Sequence, residues 1–289
     1  MEATTLINKI LSAKSHRQVF TSDYKKEYRQ ISLLIHPDKC SLPKAQDAFD
    51  KLTEFKKNIE DGITFSDGIC NITVKGKEII FEGDSDLLKT SLKNYKILKA
   101  IADKQKSTFA RYMPIKGEIM DGKLYFTTEE EAISVSNLTL EEEHVRWVLS
   151  RLLSYVAWLE KEEYVHTGIN PESFCIAKNH GIYIISFYHL TKASSKLNTI
   201  SAKYLTWYNP SIFKDKIAIP SIDLTMVKKS AIYLLGDRTG VGTPLKRKPI
   251  HEKLVEYLLK FETSSKDSFF EYRGLVKNVF GSKFHELEI

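Results

Sequence analysis

The stretch Tyr24-Lys25-Lys26-Glu27-Tyr28-Arg29-Gln30-Ile31-Ser32-Leu33-Leu34-Ile35-His36-Pro37-Asp38-Lys39 decides how this chain is read. Tyr24, Tyr28, Ile31 and Ile35 recur at helical spacing, so one face of a helix is apolar. Pro37 cannot continue that helix, and it pushes His36 towards extended geometry. The helix must therefore stop at a corner that offers an imidazole and a carboxylate to solvent. Lys25, Lys26 and Arg29 fall away from the Tyr28 and Ile31 side, with 25 and 29 one turn apart, and make a small basic face.

Working outward, Leu6, Ile7, Ile10 and Leu11 mark a short helix before this stretch. Ala45, Ala48, Phe49, Leu52, Phe55 and Ile59 mark a third helix after it. Ser22 and Ser41 are the expected N-caps of the second and third helices. A His-Pro-Asp triplet alone carries little weight, since a helix-ending loop accounts for it. Its setting carries more. The basic helix, His36-Pro37-Asp38-Lys39 and then Ala48-Phe49-Asp50-Lys51-Leu52 closely resemble the J-domain family, over roughly residues 3–60. The resemblance implies that His36, Pro37 and Asp38 trigger the ATPase of a DnaK-type chaperone, with Lys25, Lys26 and Arg29 as the docking face. Exposed cations of this kind steer a partner's approach more than they add affinity. Asp38 can accept a charge-assisted hydrogen bond from a partner cation. The family's usual Tyr-x-x-Leu-Gly segment after the first helix is absent, and His16–Phe20 stands in its place. No Gly/Phe-rich linker or zinc-binding Cys repeats follow, which excludes the general-purpose DnaJ architecture.

The pattern changes near Gly62. Ile69–Val74 and Glu78–Phe81 read as a hairpin around Lys75-Gly76-Lys77. A helix over about 87–101, strands near 115–120 and 123–126, and a long helix over 141–160 follow. Val145, Val148, Leu149, Leu152, Val156 and Leu159 give that long helix one apolar face. A loop at 164–173 leads to strands at 174–177 and 182–186, and helices are expected at 223–235, 249–262 and 266–280. The expected class is α+β: a helical J domain over 1–62, then a bilobal unit with a β-rich lobe over 63–138 and a helical lobe over 139–289.

Tyr164-Val165-His166-Thr167-Gly168-Ile169-Asn170-Pro171-Glu172-Ser173, then Ile184-Ile185-Ser186-Phe187-Tyr188, resemble the catalytic-loop region of protein kinases. Trp207-Tyr208-Asn209-Pro210 and Asp223 extend that likeness. With His180-Gly181, Tyr233-Leu234-Leu235-Gly236 and Phe280-Gly281-x-x-Phe284, residues 62–289 resemble a degenerate kinase-like domain found in bacterial J-domain proteins, some of them encoded by phages. Phosphoryl transfer needs a carboxylate at the acceptor hydroxyl and carboxylate and amide ligands for magnesium. Here the base position holds Gly168, the lysine position Asn170, and the two metal-binding positions Ser173 and Ser186. Gly62, Gly68, Gly76 and Gly83 are too scattered for a phosphate loop. No transfer chemistry, cofactor or metal is therefore expected. His166 reads as a core histidine that holds the loop, and Asp223 as a buried acceptor for loop amides.

Composition narrows the rest. A hydrophobic content of 42% is ordinary for a globular protein, and the net charge of +6 is spread along the chain, which makes nucleic acid an unexpected partner. Cys40, Cys70 and Cys175 lie far apart and form no framework, so reduced thiols in a cytosol are expected; the family resemblance implies that this is a bacterial or phage-infected host cytosol. No signal peptide or membrane span is expected. Lys246-Arg247-Lys248 and Glu129–Glu131 read as solvated runs, and the aromatics at 204–208 as interior packing. The expected function is that of a co-chaperone that recruits a DnaK-type chaperone, its kinase-like part serving as a scaffold for an unknown client. Two alternatives stand beside it: a nucleotide-binding or residually active kinase-like enzyme, and a viral interaction protein that diverts host chaperone.

Overall fold

Three helices open the chain: α1 (Ala3–Ser12), α2 (Tyr24–Ile35) and α3 (Ala45–Asp61). The computed structural model describes residues 3–13, 15–21, 23–281 and 287. Leu6, Ile7, Ile10, Ile35, Ala48, Leu52 and Phe55 form one buried core, with Tyr24, Tyr28 and Ile31 packed against it. Val19 and Phe20, just after the short 3-10 turn at His16–Gln18, enter the same core. α2 and α3 run antiparallel. The His36 ring meets Phe49, whereas Tyr28, earlier in α2, meets Thr53 and Lys56, later in α3.

The caps differ from expectation. Ser22 lies outside the described residues, and Asp23 caps α2 by accepting from Lys26 N–H at 3.1 Å. Ser41 does not cap α3. Leu42 and Pro43 intervene, and Lys44 holds the capping position with φ of 65°. α3 stops at Gly62, whose φ of 83° is a conformation that glycine adopts without cost.

The chain divides into two compact units, the second spanning Thr64–Glu286. That unit contains a five-stranded antiparallel sheet in the order β1-β2-β3-β5-β4. Its strands are β1 (Ile63–Ser66), β2 (Asn71–Lys75), β3 (Glu78–Glu82), β4 (Lys116–Met120) and β5 (Lys123–Thr127). Strand β1 is an addition to the sequence reading, since four residues without clean alternation give little signal. In the hairpin, Ile72 pairs with Phe81 and Val74 with Ile79, so the alternation points all four side chains into the interior. α4 (Ser85–Lys104), capped by Asp84, packs on β4 and β5. Gly117 leaves room for the Phe126 ring of the neighbouring strand and for Tyr95 of α4, since a Cβ there would stand 2.6 Å from the first and 3.0 Å from the second.

Short strands follow: β6 (Ile133–Ser134), β7 (Tyr164–Val165), β8 (Phe174–Ile176), β9 (Ile182–Ile184) and β10 (Thr191–Lys192). They form a β6-β8-β9 sheet and a β7-β10 pair. The rest is helical: α5 (Glu142–Lys161), α6 (Ser211–Asp215), α7 (Pro220–Leu234), α8 (Glu252–Leu259) and α9 (Ser265–Leu275). The last expected helix changes character at Val276, where a π-helical turn runs to Phe280, and Phe284 lies outside the described residues. All six residues of the expected apolar face of α5 are buried, and the helix packs on α7 and α9. Each such burial is worth about 1.5–3 kcal/mol relative to exposure. The class is α+β with small antiparallel sheets. Among the described residues, no helix is long and apolar enough to cross a membrane.

Candidate functional site

α2 ends because His36 turns extended, with φ of −57° and ψ of 129°, and Pro37 brings no N–H to continue the ladder. The corner is then tied to itself. Lys39 and Cys40 N–H both donate to the His36 carbonyl, at 2.9 and 2.8 Å. Asp38 N–H donates to His36 Nδ1 at 3.3 Å, which in the neutral ring leaves the proton on Nε2. The ring stands edge-on to Phe49, with centroids 5.0 Å apart. Packing on one side and a backbone donor on another fix the imidazole, while the Asp38 side chain stays 85% exposed. The proline corner thus displays both groups in one orientation.

Lys25, Lys26 and Arg29 are exposed on the same helix. None is in an ion pair among the described residues. Their charge is available to a partner. Leu33 and Leu34 continue this face towards the corner and are also exposed.

In the second unit, the loop after β7 is built around Asp223, near the start of α7. Its two oxygens accept from His166 N–H and Thr167 N–H, both at 2.7 Å. Thr167 has φ of 62°, a left-handed conformation uncommon for a β-branched residue. Its hydroxyl donates to the His189 carbonyl and its own carbonyl accepts from Tyr208 OH, so the surroundings hold the conformation in place. Burial raises Asp223 to about 7 despite the two amides. His166 is fully buried and burial lowers it to about 4; neither ring nitrogen makes a well-formed hydrogen bond, and the Ser186 backbone is the polar group beside it.

The positions that the sequence resemblance assigned to transfer chemistry are occupied or hydrogen-bonded within the loop as follows. A Cβ at Gly168 would stand 2.2 Å from His189 Cδ2, so the His189 ring occupies that space. His189 is held by Thr199 Oγ1 at 2.5 Å. Asn170 spends its amide within the loop, donating to the Gly168 carbonyl and accepting from Glu172 N–H. Ser173 Oγ donates to the Asn170 carbonyl. Ser186 is buried, and its hydroxyl has no partner. Glu172, 1% exposed, pairs with Lys203 Nζ at 2.7 Å, and the same ammonium donates to the Ser66 carbonyl in β1. Lys203 therefore clasps the β1–β2 turn onto the 170–173 loop. α4 closes the remaining side. Ser91 Oγ accepts from Phe187 N–H, Asn94 donates to the Phe187 and Leu190 carbonyls, and Tyr95, Phe126 and Phe187 cluster by their rings.

His189, Lys203, Ser91 and Asn94 were not singled out in the sequence. The signal for His189 was the missing side chain at 168, legible only once the two positions are known to touch. Among the described residues, no group of three His, Cys, Asp or Glu could hold a metal ion. No family model matches the sequence, and no curated protein matches it.

Proposed function

We propose that the first unit is a J domain that recruits a DnaK-type chaperone and stimulates its ATPase. The second unit then acts as a catalytically silent, kinase-like scaffold that holds a client. The observation that carries this reading is the open His36-Pro37-Asp38 corner, set between two antiparallel helices and beside an unpaired cationic face. The corner offers an oriented imidazole and a carboxylate, groups suited to polar recognition of a protein surface. The scaffold role is supported by the filled space at Gly168, by the internally spent Asn170 and Ser173, and by a hydroxyl at Ser186 where a metal would need a carboxylate.

The test is single-turnover ATP hydrolysis by a DnaK-type chaperone with and without this chain. The native chain is expected to accelerate hydrolysis, and His36→Gln to abolish the acceleration. The His36 side chain touches Phe49 and Asp38 at the surface, so its replacement should leave the melting temperature within a few degrees of the parent. Full stimulation by His36→Gln removes the proposal.

A further inference from the structure

One face of the second unit combines apolar exposure with a surplus of positive charge. A cavity of about 160 Å³ lies between the segment after β10 and α7, with Trp207, Tyr208, Ile212, Ile219, Ile222 and Phe261 among its walls. Phe261 is 68% exposed at its rim and Ile219 42%. Phe213, 43% exposed, reaches the same wall through the Tyr208 ring. Ile217, two residues before Ile219, adds another exposed apolar side chain. Large apolar side chains grouped around a concavity mark an interaction site more strongly than the same residues scattered singly.

The surrounding charge says what kind of partner fits. Residues 192–197 and 216–218 run side by side: Lys196 bridges to Ile217, Leu197 N–H donates to the Lys216 carbonyl, and Ser194 N–H to the Ala218 carbonyl. Lys192, Lys196 and Lys216 are exposed on these segments and Lys214 on α6 beside them, against the exposed acids Asp215 and Glu163, whose carbonyl accepts from Ala193 N–H. None of the four lysines is in an ion pair among the described residues. The cavity wall adds the Asn209 side-chain amide nitrogen, which can donate to a peptide backbone while its Oδ1 is held by Ser211; the Thr225 hydroxyl donates to the Ser221 carbonyl.

We propose that this face is a docking site for an acidic peptide segment that inserts one large apolar side chain into the cavity. The lysines supply long-range attraction and exclude basic segments, and the cavity supplies the anchor. The inference rests on the scaffold reading above and names the chemistry of the client that the scaffold takes.

The test is selection from a random-peptide display library on the 289-residue chain, followed by binding titrations of the recovered peptides. Enrichment of acid-rich peptides carrying Phe, Leu or Ile is expected. Their affinity should fall at least about tenfold in Phe261→Ser and in the double variant Lys214→Glu, Lys216→Glu. These side chains are exposed, and thermal melts verify that both variants fold. Higher salt should weaken binding to the parent and have little effect on the double variant. Recovery of basic peptides, of no peptides, or of peptides that bind both variants as tightly as the parent overturns the proposal. Concentration-dependent self-association abolished by Phe261→Ser also overturns it, because the face would then belong to a second copy of the chain. His36→Gln should bind the peptides normally. Loss of ATPase stimulation and loss of peptide binding are thereby read separately, and failure of either does not mimic failure of the other.

Discussion

The His189 ring fills the space that any side chain at position 168 would need, its Cδ2 lying 2.2 Å from where a Cβ on Gly168 would be placed. An aspartate placed at that position would thus meet the His189 imidazole. Gly168→Asp is expected to destabilise the second unit by about 1–3 kcal/mol through overpacking, with a further cost for the buried charge. It should yield no phosphoryl transfer. Adding His189→Ala should recover part of the loss, a coupling that a double-mutant cycle in urea measures. Equal midpoints for the parent and Gly168→Asp would show that the position is open after all.

The same loop sets how stability depends on pH. Burial lowers His166 to about 4, and burial with His166 as neighbour lowers His189 to about 3. Both folded values lie below the unfolded one, near 6.5, so this contribution is present above about pH 6.5 and lost as pH falls. Asp223 acts in the opposite sense. Burial raises it to about 7, so its contribution is present below about pH 4 and lost as pH rises through 7. Between these limits two histidines oppose one carboxyl, and His180, lowered to about 4 by burial, sides with the histidines. Stability should therefore fall on acidification from pH 6.5, by about 1.4 kcal/mol per pH unit for each net proton. Asp223→Asn removes the opposing group and should steepen that fall, while also weakening one of the two amide contacts. Urea melts across pH 4–8 read both effects, and an unchanged slope in the variant contradicts the assignment.

The cationic face of α2 predicts a kinetic effect. Lys25→Glu with Arg29→Glu alters exposed groups without ion-pair partners among the described residues, so folding stability should change by only about 0.5 kcal/mol. Association with a DnaK-type chaperone should slow by roughly tenfold or more at low salt, and the difference should shrink at high salt. Stopped-flow association at two ionic strengths checks this. Dissociation rates that change while association rates do not would assign the face to short-range contact rather than steering.

Legibility in the sequence followed the range of the interactions. The helices over 3–61 could be read because their apolar positions repeat locally, and so could α5 and the 71–82 hairpin. The ends of α2 and α3 were less legible, since the choice of Asp23 over a neighbouring serine depends on which oxygen reaches an amide three residues on. Strands β7 and β10 pair with each other at long range, and β1, although it pairs with the neighbouring β2, is too short to carry a periodic pattern. In the site, Asp223 could be anticipated as a buried acceptor only through the kinase-like resemblance, in which an aspartate opening a helix lies under the loop. The roles of His189 and Lys203 could not, since each depends on a contact across 20 residues or more: His189 with Gly168, and Lys203 with Glu172 and Ser66.

The Lys203 clasp gives the last prediction. Its ammonium is the ion-pair partner of a carboxylate that is almost wholly buried, and it also reaches the Ser66 carbonyl. Lys203→Met would leave Glu172 buried without a counter-charge. Loss of one partner of a fully buried pair costs about 3–5 kcal/mol. Lys203 is itself 45% exposed, so water can reach the pair and a loss nearer to about 2 kcal/mol is expected. Lys203→Met with Glu172→Gln should regain most of that, because the uncompensated charge is then gone. The β1–β2 turn at Asp67–Cys70 should exchange its amide hydrogens faster in both variants, since both lose the tie to Ser66. If the single variant loses stability and the turn keeps its protection, Lys203 serves only to neutralise Glu172 and does not hold the turn.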